Sequence, residues 1–460
     1  EVIFEISARN QDPTKYLNEI AESYSLQFIV NDEGDKKYVK SLFKINNDGE
    51  DDVSFGYCDQ LMEIIDGETE STNIKIVIDT ENGDTTFVLY ANHEEKVREV
   101  KEGCDKIAGA LVINTQKCVT KILPSIPAIN EYLANEGNGE RIAAAMRKAL
   151  AGEDITIGFI GGSITVGDGA NNKNTKSYAA VVRDWWINKF PNITVNYVNA
   201  GIGATDSIYG ACRVERDLLS QKPDFVVVEF AVNDLGRTNI TEAYEGLLRQ
   251  ILNSENHPGV ISLSFMIQSG ASAQNMHLPV VKHYDVPMVS YCDALLPLIE
   301  TGDIVWNQLT ADSTHPTDYG HYLAGTLINW KLDEIYRQLD SIPEPDYTLP
   351  DPLTDNGLEN ATVIDACDVN IISKGNWTRS GNGMATSTPG GEPMVVEVDA
   401  DYIYLMFEAI ANGTGGKCIV DIDGESQVTL DADFSGGWGN YLKVQEALRT
   451  DTNEKHTLTF

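Results

Sequence analysis

Short apolar runs alternate with amphipathic stretches between about residues 140 and 340. The runs show no clear apolar–polar alternation, which is typical of strands covered on both faces of a parallel sheet. The predicted strands are Ile155–Ile160, Val195–Val198, Phe225–Phe230, Val260–Ile267 and Val286–Tyr291. The predicted helices are Glu140–Leu150, Tyr178–Phe190, Ser207–Ser220, Thr241–Asn253 and about 318–339. The pattern predicts a doubly wound α/β domain, in which ligands bind beyond the carboxyl ends of the strands.

The first 125 residues have a strand-rich pattern of a different kind. Ile74–Thr80 and Thr85–Ala91 flank Asn82-Gly83, and Asn-Gly between two β-prone runs is a strong hairpin signal. A short helix is predicted near residues 16–24. We expect residues 1–125 to form an α+β or β-sandwich domain, whose role the sequence does not reveal.

Residues 341–360 are rich in proline and aspartate and have neither helical nor strand periodicity, so they are predicted to be a linker between residues 126–340 and 361–460. Beyond it, short strands separated by glycine-rich or aspartate-rich turns predict an antiparallel β-sandwich. The predicted strands there are Met394–Val398, Tyr402–Phe407, Lys417–Ile422 and Gln427–Leu430. Because the sequence of Thr457–Phe460 is typical of the middle of a strand, we expect this sandwich to be truncated at the end of the chain.

Composition narrows the possible partners. The formal net charge of −36 argues against nucleic acid and anionic membrane surfaces, although solubility alone accounts for an acidic surface. No apolar run approaches the length of a membrane span. The seven cysteines include no C-x-x-C pair, which argues against a zinc ribbon or a redox motif. The chain begins at Glu1 without methionine, as expected of a processed or trimmed product.

Two remote segments supply the parts of an acyl-transfer site. Ser163 follows Gly161-Gly162 where the first predicted strand meets a helix, and Asp312 precedes His315 by three residues. A hydroxyl, an imidazole and a carboxylate are the groups required for nucleophilic catalysis with a general base. Taken alone, Ser163 also fits a helix N-cap and Asp312 fits a turn.

Two further segments follow predicted strands and belong at the same sheet edge. They are Asn199–Thr205 and Ala231–Asp234. Backbone N–H groups of a glycine-rich turn and the side-chain amide of Asn233 can stabilise a developing oxyanion. Singly, these segments also fit a tight turn and a helix cap. Four such segments in this order are much harder to attribute to chance.

Together these blocks resemble the SGNH (GDSL-type) hydrolase superfamily, and within it the carbohydrate esterase-like branch. The resemblance implies a three-layer, flavodoxin-like fold, with Ser163 as nucleophile, His315 as base and Asp312 as its partner. It further implies an oxyanion hole formed by Ser163 N–H, the Asn233 amide and a backbone N–H of Gly203, with Ala204 the alternative donor. The chain departs from the family motif at Gly162, where aspartate is usual, and at Ala231, where glycine is common.

The predicted function is a serine esterase that removes small acyl groups, above all acetyl, from a polysaccharide or glycan ester. No metal or organic cofactor is required by this chemistry. Trp377, Trp438 and Tyr441 are candidates for stacking on sugar rings, with core packing the alternative. The resemblance and the modular layout imply a secreted or cell-surface bacterial protein of unknown oligomeric state. The alternatives are a lipid or thioester hydrolase of the same superfamily and a non-catalytic surface binding protein.

Overall fold

The computed structural model describes residues 131–310 and 312–460 in full and, before them, the backbone of ten strands. Contacts divide the chain into two compact units, Glu1–Ala128 and Ile129–Phe460. The strands of the first unit are β1 Val2–Arg9, β2 Tyr16–Ile20, β3 Tyr24–Glu33, β4 Lys36–Ile45, β5 Val53–Phe55, β6 Met62–Ile65, β7 Ser71–Glu81, β8 Asp84–Ala91, β9 Glu94–Lys101 and β10 Ile113–Asn114.

These strands form two antiparallel sheets. One has the order β1-β7-β8-β9, and the other has the order β10-β2-β3-β4-β5, with β6 paired to β4. The predicted hairpin is confirmed, since β7 and β8 pair in register from Ile74 with Ala91 to Glu81 with Asp84. The helix predicted near residues 16–24 is wrong, because β2 covers residues 16–20, β3 begins at Tyr24, and the two strands pair with each other.

The second unit begins with an α/β domain. Its strands are β11 Leu133–Asn135, β12 Ile155–Gly161, β13 Val195–Gly201, β14 Phe225–Glu229, β15 Gly259–Ser264 and β16 Met288–Ser290. Its helices are α1 Glu140–Leu150, α2 Ser163–Val166, α3 Lys173–Lys176, α4 Tyr178–Lys189, α5 Ser207–Asp217, α6 Ile240–Asn253, α7 Gln274–His283, α8 Tyr291–Thr301, α9 Trp306–Leu309 and α10 Asp318–Arg337.

The sheet of this domain has the order β11-β16-β15-β14-β12-β13. Strands β12 to β16 are parallel, and β11 pairs with β16 in the antiparallel direction. Counted along the chain, the parallel strands have the flavodoxin-like order 2-1-3-4-5, which confirms the predicted fold class. The order reverses between β12 and β14, where ligands bind in such sheets.

Helices cover both faces of the sheet. Side chains of α5, α6 and α7 form one apolar core with β12, β14, β15 and β16. On the other face, Trp186 of α4 packs against Phe225, and α10 packs on α4 where Gly325 meets Val181. Every residue of β14 and β15 is buried, as expected of strands covered on both faces.

The remaining strands form antiparallel sheets, as predicted. They are β17 Asn370–Ser373, β18 Thr378–Ser380, β19 Gly383–Ala385, β20 Val395–Ala409, β21 Lys417–Ile422, β22 Ser426–Asp431 and β23 Tyr441–Thr459. Five of them have the order β17-β20-β23-β21-β22, and β18 pairs with β19. None of the described helices is long and apolar enough to cross a membrane.

Residues 346–358, which we call the strap, follow α10 and lie along α6 in the opposite direction. Pro350 O accepts a hydrogen bond from Arg249, the backbone N–H groups of Leu353 and Thr354 donate to Glu245, and Gly357 N–H donates to Glu242. Leu358 is buried in the apolar core of the α/β domain. The segment predicted to be a linker thus includes an ordered stretch fixed to the surface of this domain.

Candidate active site

Ser163 lies at the carboxyl end of β12, at the switch point of the sheet. The strand ends at Gly161, Gly162 is extended, and Ser163 is the first residue of α2. Its side chain is almost completely buried, with 8% of the residue exposed. Since the first N–H groups of a helix have no partner within the helix, this position combines a hydroxyl with free backbone donors.

His315 reaches Ser163 from a loop between α9 and α10. Its Nε2 lies 2.9 Å from Ser163 Oγ, although 152 residues separate the two in sequence. The loop is closed by a bridge between Thr310 and Pro316 and by the hydrogen bond from Gln268 N–H to Ser313 O. This distance allows direct proton transfer between hydroxyl and imidazole.

Asp312 holds the other side of the imidazole. Its Oδ2 lies 2.7 Å from His315 Nδ1, and its Oδ1 accepts the backbone N–H groups of Thr314 and His315, each at 2.6 Å. Partial burial acts to raise the pKa of Asp312, but the hydrogen bonds from the His315 ring and from these N–H groups outweigh it and lower the pKa. A carboxylate at this position fixes the ring with Nδ1 protonated and Nε2 free to accept a proton.

The two oxyanion candidates lie against the Ser163 turn. A Cβ atom on Gly162 would be 2.2 Å from Asn233 Oδ1, so the Asn233 side chain packs directly on this glycine. A Cβ atom on Gly203 would be 3.8 Å from Ser163 Cβ, which places Gly203 beside the serine. Ala204 has a positive φ of 59° and continues the same turn. The absence of a side chain at residue 162, a departure from the family motif, leaves room for Asn233.

The backbone around Ser163 is fixed by two side chains, of which the buried Arg213 was not revealed by the motifs. Arg213 is fully buried and donates to Ala200 O (2.6 Å) and Gly161 O (3.1 Å), which joins the ends of β13 and β12. Asn199 donates to Thr165 O at 2.7 Å. A charged residue in a buried helix face has no distinctive spacing, so sequence reasoning could not single out Arg213.

A second buried network lies behind Asn233. Asp234 accepts the backbone N–H of Ser207 (2.8 Å) and pairs with His277 Nε2 (2.7 Å). The His277 ring stacks on Tyr244 at 3.8 Å between ring centroids. These contacts fix the residue that follows Asn233 and thereby the position of the amide.

The three aromatic candidates lie in the C-terminal region, with Trp377 just before β18, Trp438 between β22 and β23, and Tyr441 at the start of β23. Trp377 is partly buried, packs against the core of the sheet and contacts Phe460. Trp438 is 72% exposed and stacks on Tyr441, with 5.3 Å between ring centroids. Phe434 supports both rings edge-on. The structure therefore separates Trp377, which packs on the core, from a cluster of Phe434, Trp438 and Tyr441. We call it the exposed aromatic cluster because Trp438 is exposed, while Phe434 and Tyr441 are half-buried.

Comparisons with known proteins concern the family and the fold. The model of the GDSL-like lipase/acylhydrolase family matches residues 159–323. The chain is similar to the crystal structure of a two-domain esterase (CEX) active on acetylated mannans, co-crystallized with mannopentaose, at 32% identity and a TM-score of 0.66 over 71% of this chain and 90% of that chain. A further crystal structure of the two-domain esterase (CEX) has the same identity and TM-score, over 71% and 91% of the two chains. No curated protein matches the chain significantly.

Proposed function

Since the chain belongs to the GDSL-like lipase/acylhydrolase family and is a carboxylic ester hydrolase, we propose that it is a serine esterase that removes acetyl groups from a polysaccharide. The observation that carries the proposal is the continuous hydrogen-bonded chain from Ser163 Oγ through the His315 ring to Asp312. The family model and the similar acetyl mannan esterase support the reaction class and the kind of substrate.

The reaction begins when Ser163 Oγ attacks the ester carbonyl carbon and His315 Nε2 takes the hydroxyl proton. The oxyanion accepts hydrogen bonds from Ser163 N–H, Gly203 N–H and the Asn233 side-chain amide. The imidazolium then gives its proton to the departing sugar oxygen, and the acetyl group stays on Ser163. Water, deprotonated by His315, attacks the acetyl-enzyme and releases acetate, which restores the serine.

The exposed aromatic cluster supports a polymeric substrate. Arg449 pairs with Glu242 at 2.8 Å, and Glu446 accepts a hydrogen bond from Asn239, so β23 contacts the N-terminal end of α6. That end of α6 is at the carboxyl edge of the sheet, where Ser163 lies. The first residue of β23, Tyr441, lies five residues before Glu446 in the chain. We propose that Trp438 and Tyr441 bind sugar rings there and that Trp377 belongs to the core.

The proposed polysaccharide substrate also supports a secreted or cell-surface location for the protein. Acetylated polysaccharides do not cross membranes, so their esterase must meet them outside the cytoplasm. We include this location in the proposal as the consequence of the substrate.

Acetate release from a panel of acetylated mannan, xylan, pectin and peptidoglycan tests the proposal. We expect release from at least one of these polymers by the wild-type protein and none by Ser163→Ala. Ser373→Ala, a change in the C-terminal sheet, serves as the matched control and should retain full activity. Faster hydrolysis of p-nitrophenyl octanoate than of the acetate would favour a lipid hydrolase instead. No turnover of any ester would favour the non-catalytic alternative.

A further inference from the structure

Glu229 is a buried acid directly beneath the nucleophile turn. It is the last residue of β14, it pairs in register with Gly161 of β12, and its main-chain oxygen accepts the N–H of Gly162 at 3.3 Å. None of its surface is exposed. A Cβ atom on Gly161 would lie 2.3 Å from Glu229 O, so β14 and the turn before Ser163 are in close contact.

The Glu229 carboxyl has too few partners for a buried anion. Its Oε2 accepts a hydrogen bond from Thr165 Oγ1 at 3.4 Å, and Thr165 Oγ1 also bonds Tyr178 OH at 2.8 Å. Its Oε1 is buried and has no hydrogen-bond partner within the described residues. No Lys, Arg or His side chain in that part of the chain forms an ion pair with it. A buried carboxylate without a counter-charge is costly, whereas the neutral acid is tolerated.

The surroundings favour the neutral acid. Burial raises the pKa of Glu229 to about 8, and the negative charge of Asp234 adds to the rise, whereas the hydrogen bonds from Thr165 and from the N–H of Gly162 act to lower it. The other titratable groups facing it are the phenols of Tyr178 and Tyr244, while His277 pairs with Asp234. Among the described residues, no cationic side chain acts on Glu229 to stabilise its charged form.

We propose that Glu229 is a positioning residue that, in its protonated form, holds the Ser163 turn against β14 and keeps negative charge away from the developing oxyanion. The inference rests on the proposed role of Ser163. Loss of the Glu229 proton places a negative charge beneath the turn. This charge repels the oxyanion and attracts the hydroxyl of Thr165, two residues after Ser163. Glu229 exchanges no proton with the substrate, so its effect on the rate passes through the geometry and the field at Ser163.

The dependence of kcat on pH for p-nitrophenyl acetate tests this inference, with the spontaneous rate subtracted. For the wild-type protein we expect kcat to fall on the alkaline side with a midpoint near the pKa of Glu229, about 8. Glu229→Gln keeps the shape and the neutral charge, so its kcat at neutral pH should stay within about threefold of wild type and its alkaline fall should disappear. Glu255→Gln, an exposed acid paired with Lys222, is the matched control and should keep the wild-type profile.

An unchanged alkaline fall in Glu229→Gln, or a flat wild-type profile while the protein stays folded, would overturn the inference. Infrared difference spectra of the wild-type protein provide a test that needs neither the variant nor activity. We expect a carbonyl band of a protonated carboxyl group that is lost on titration through about pH 8. The absence of such a band would also overturn the inference. A protein that shows the band but hydrolyses no ester would contradict the proposed function alone.

Discussion

At the scale of single residues, the position of Asn233 depends on the absence of a side chain at Gly162. Its side-chain oxygen lies 2.2 Å from the position that a Cβ atom on Gly162 would take, and Asp234, the next residue, is held by Ser207 N–H and His277. A donor fixed before the substrate arrives costs little reorganisation when the oxyanion forms. The amide of Asn233 is therefore the proposed donor whose removal is easiest to interpret.

Asn233→Ala is expected to lower kcat for acetyl esters by about 10²-fold with little change in KM, because the donor acts on the transition state. Asn253→Ala, at the far end of α6, is the matched control and should leave both parameters unchanged. Steady-state kinetics on p-nitrophenyl acetate measures the difference. An equal loss in both variants, or a loss confined to KM, would remove Asn233 from the proposed oxyanion hole.

At the scale of elements, α10 carries His321 into the packing behind the site. His321 is completely buried, its Nδ1 accepts the N–H of Tyr178 at 3.3 Å, and its Nε2 donates to Asp168 O at 3.0 Å. These bonds join α10 to α4 and to the loop before α3. They require the neutral ring, because a protonated Nδ1 cannot accept a hydrogen bond.

Burial lowers the pKa of His321 from 6.5 to about 4, so the folded protein resists protonation of this ring. The resulting stabilisation is present above pH 6.5 and is lost as the pH falls towards 4, by up to about 3 kcal/mol. His321→Gln should therefore lower the melting temperature more at pH 7 than at pH 4.5. His283→Gln, a change at a half-buried histidine whose ring bonds Asp351 O, is the control. An equal decrease at both pH values would contradict this account.

Buried elements with a regular pattern could be predicted from the sequence, whereas interrupted ones could not. Strands β12 and β14 are continuous apolar runs, and since parallel strands end at one edge, the motifs that follow them had to meet there. Helices α7 and α8 were not predicted, because Pro279 and Pro297 lie inside them and proline indicates a helix boundary. Packing on neighbouring elements stabilises both helices despite the prolines.

Glu229 shows the corresponding limit for the site. A glutamate inside the apolar run Phe225–Phe230 is visible in the sequence, but nothing in its spacing indicates that it faces Thr165. Long-range packing decides its partners, and packing is not encoded in any local pattern. The proposed nucleophile, base and orienting acid were recognisable because their chemistry requires particular residue types, whereas supporting residues such as Arg213 vary in type.

At the scale of the whole molecule, the exposed aromatic cluster belongs to the C-terminal sheet region and the proposed nucleophile belongs to the α/β domain. The two regions are in contact through β23 and α6. A polymer bound at both would contact the C-terminal sheet and the α/β domain together, while a small ester would contact only the latter. Stacking of a sugar ring on an exposed tryptophan contributes about 1 kcal/mol, which corresponds to about fivefold in binding.

Trp438→Ala should therefore raise KM for an acetylated polysaccharide by about fivefold and leave p-nitrophenyl acetate hydrolysis unchanged. Ile419→Ala removes another exposed apolar side chain of the same sheet and is the matched control. Initial rates of acetate release over a range of polymer concentrations measure the effect. Unchanged polymer kinetics in Trp438→Ala would exclude this surface from substrate binding.

The strap has a consequence for how this architecture can be recombined. Glu242 and Glu245 accept hydrogen bonds from strap N–H groups, and Leu358 covers the apolar surface over Gly246. A hydrolase cut after α10 would lose these N–H donors, although Glu245 would keep the hydroxyl of Tyr284, and would expose the apolar surface beneath Leu358. A functional exchange of C-terminal sheets between relatives would need its crossover after Leu358. The prolines follow the end of the last helix, and the boundary at which the domains could be exchanged lies after them.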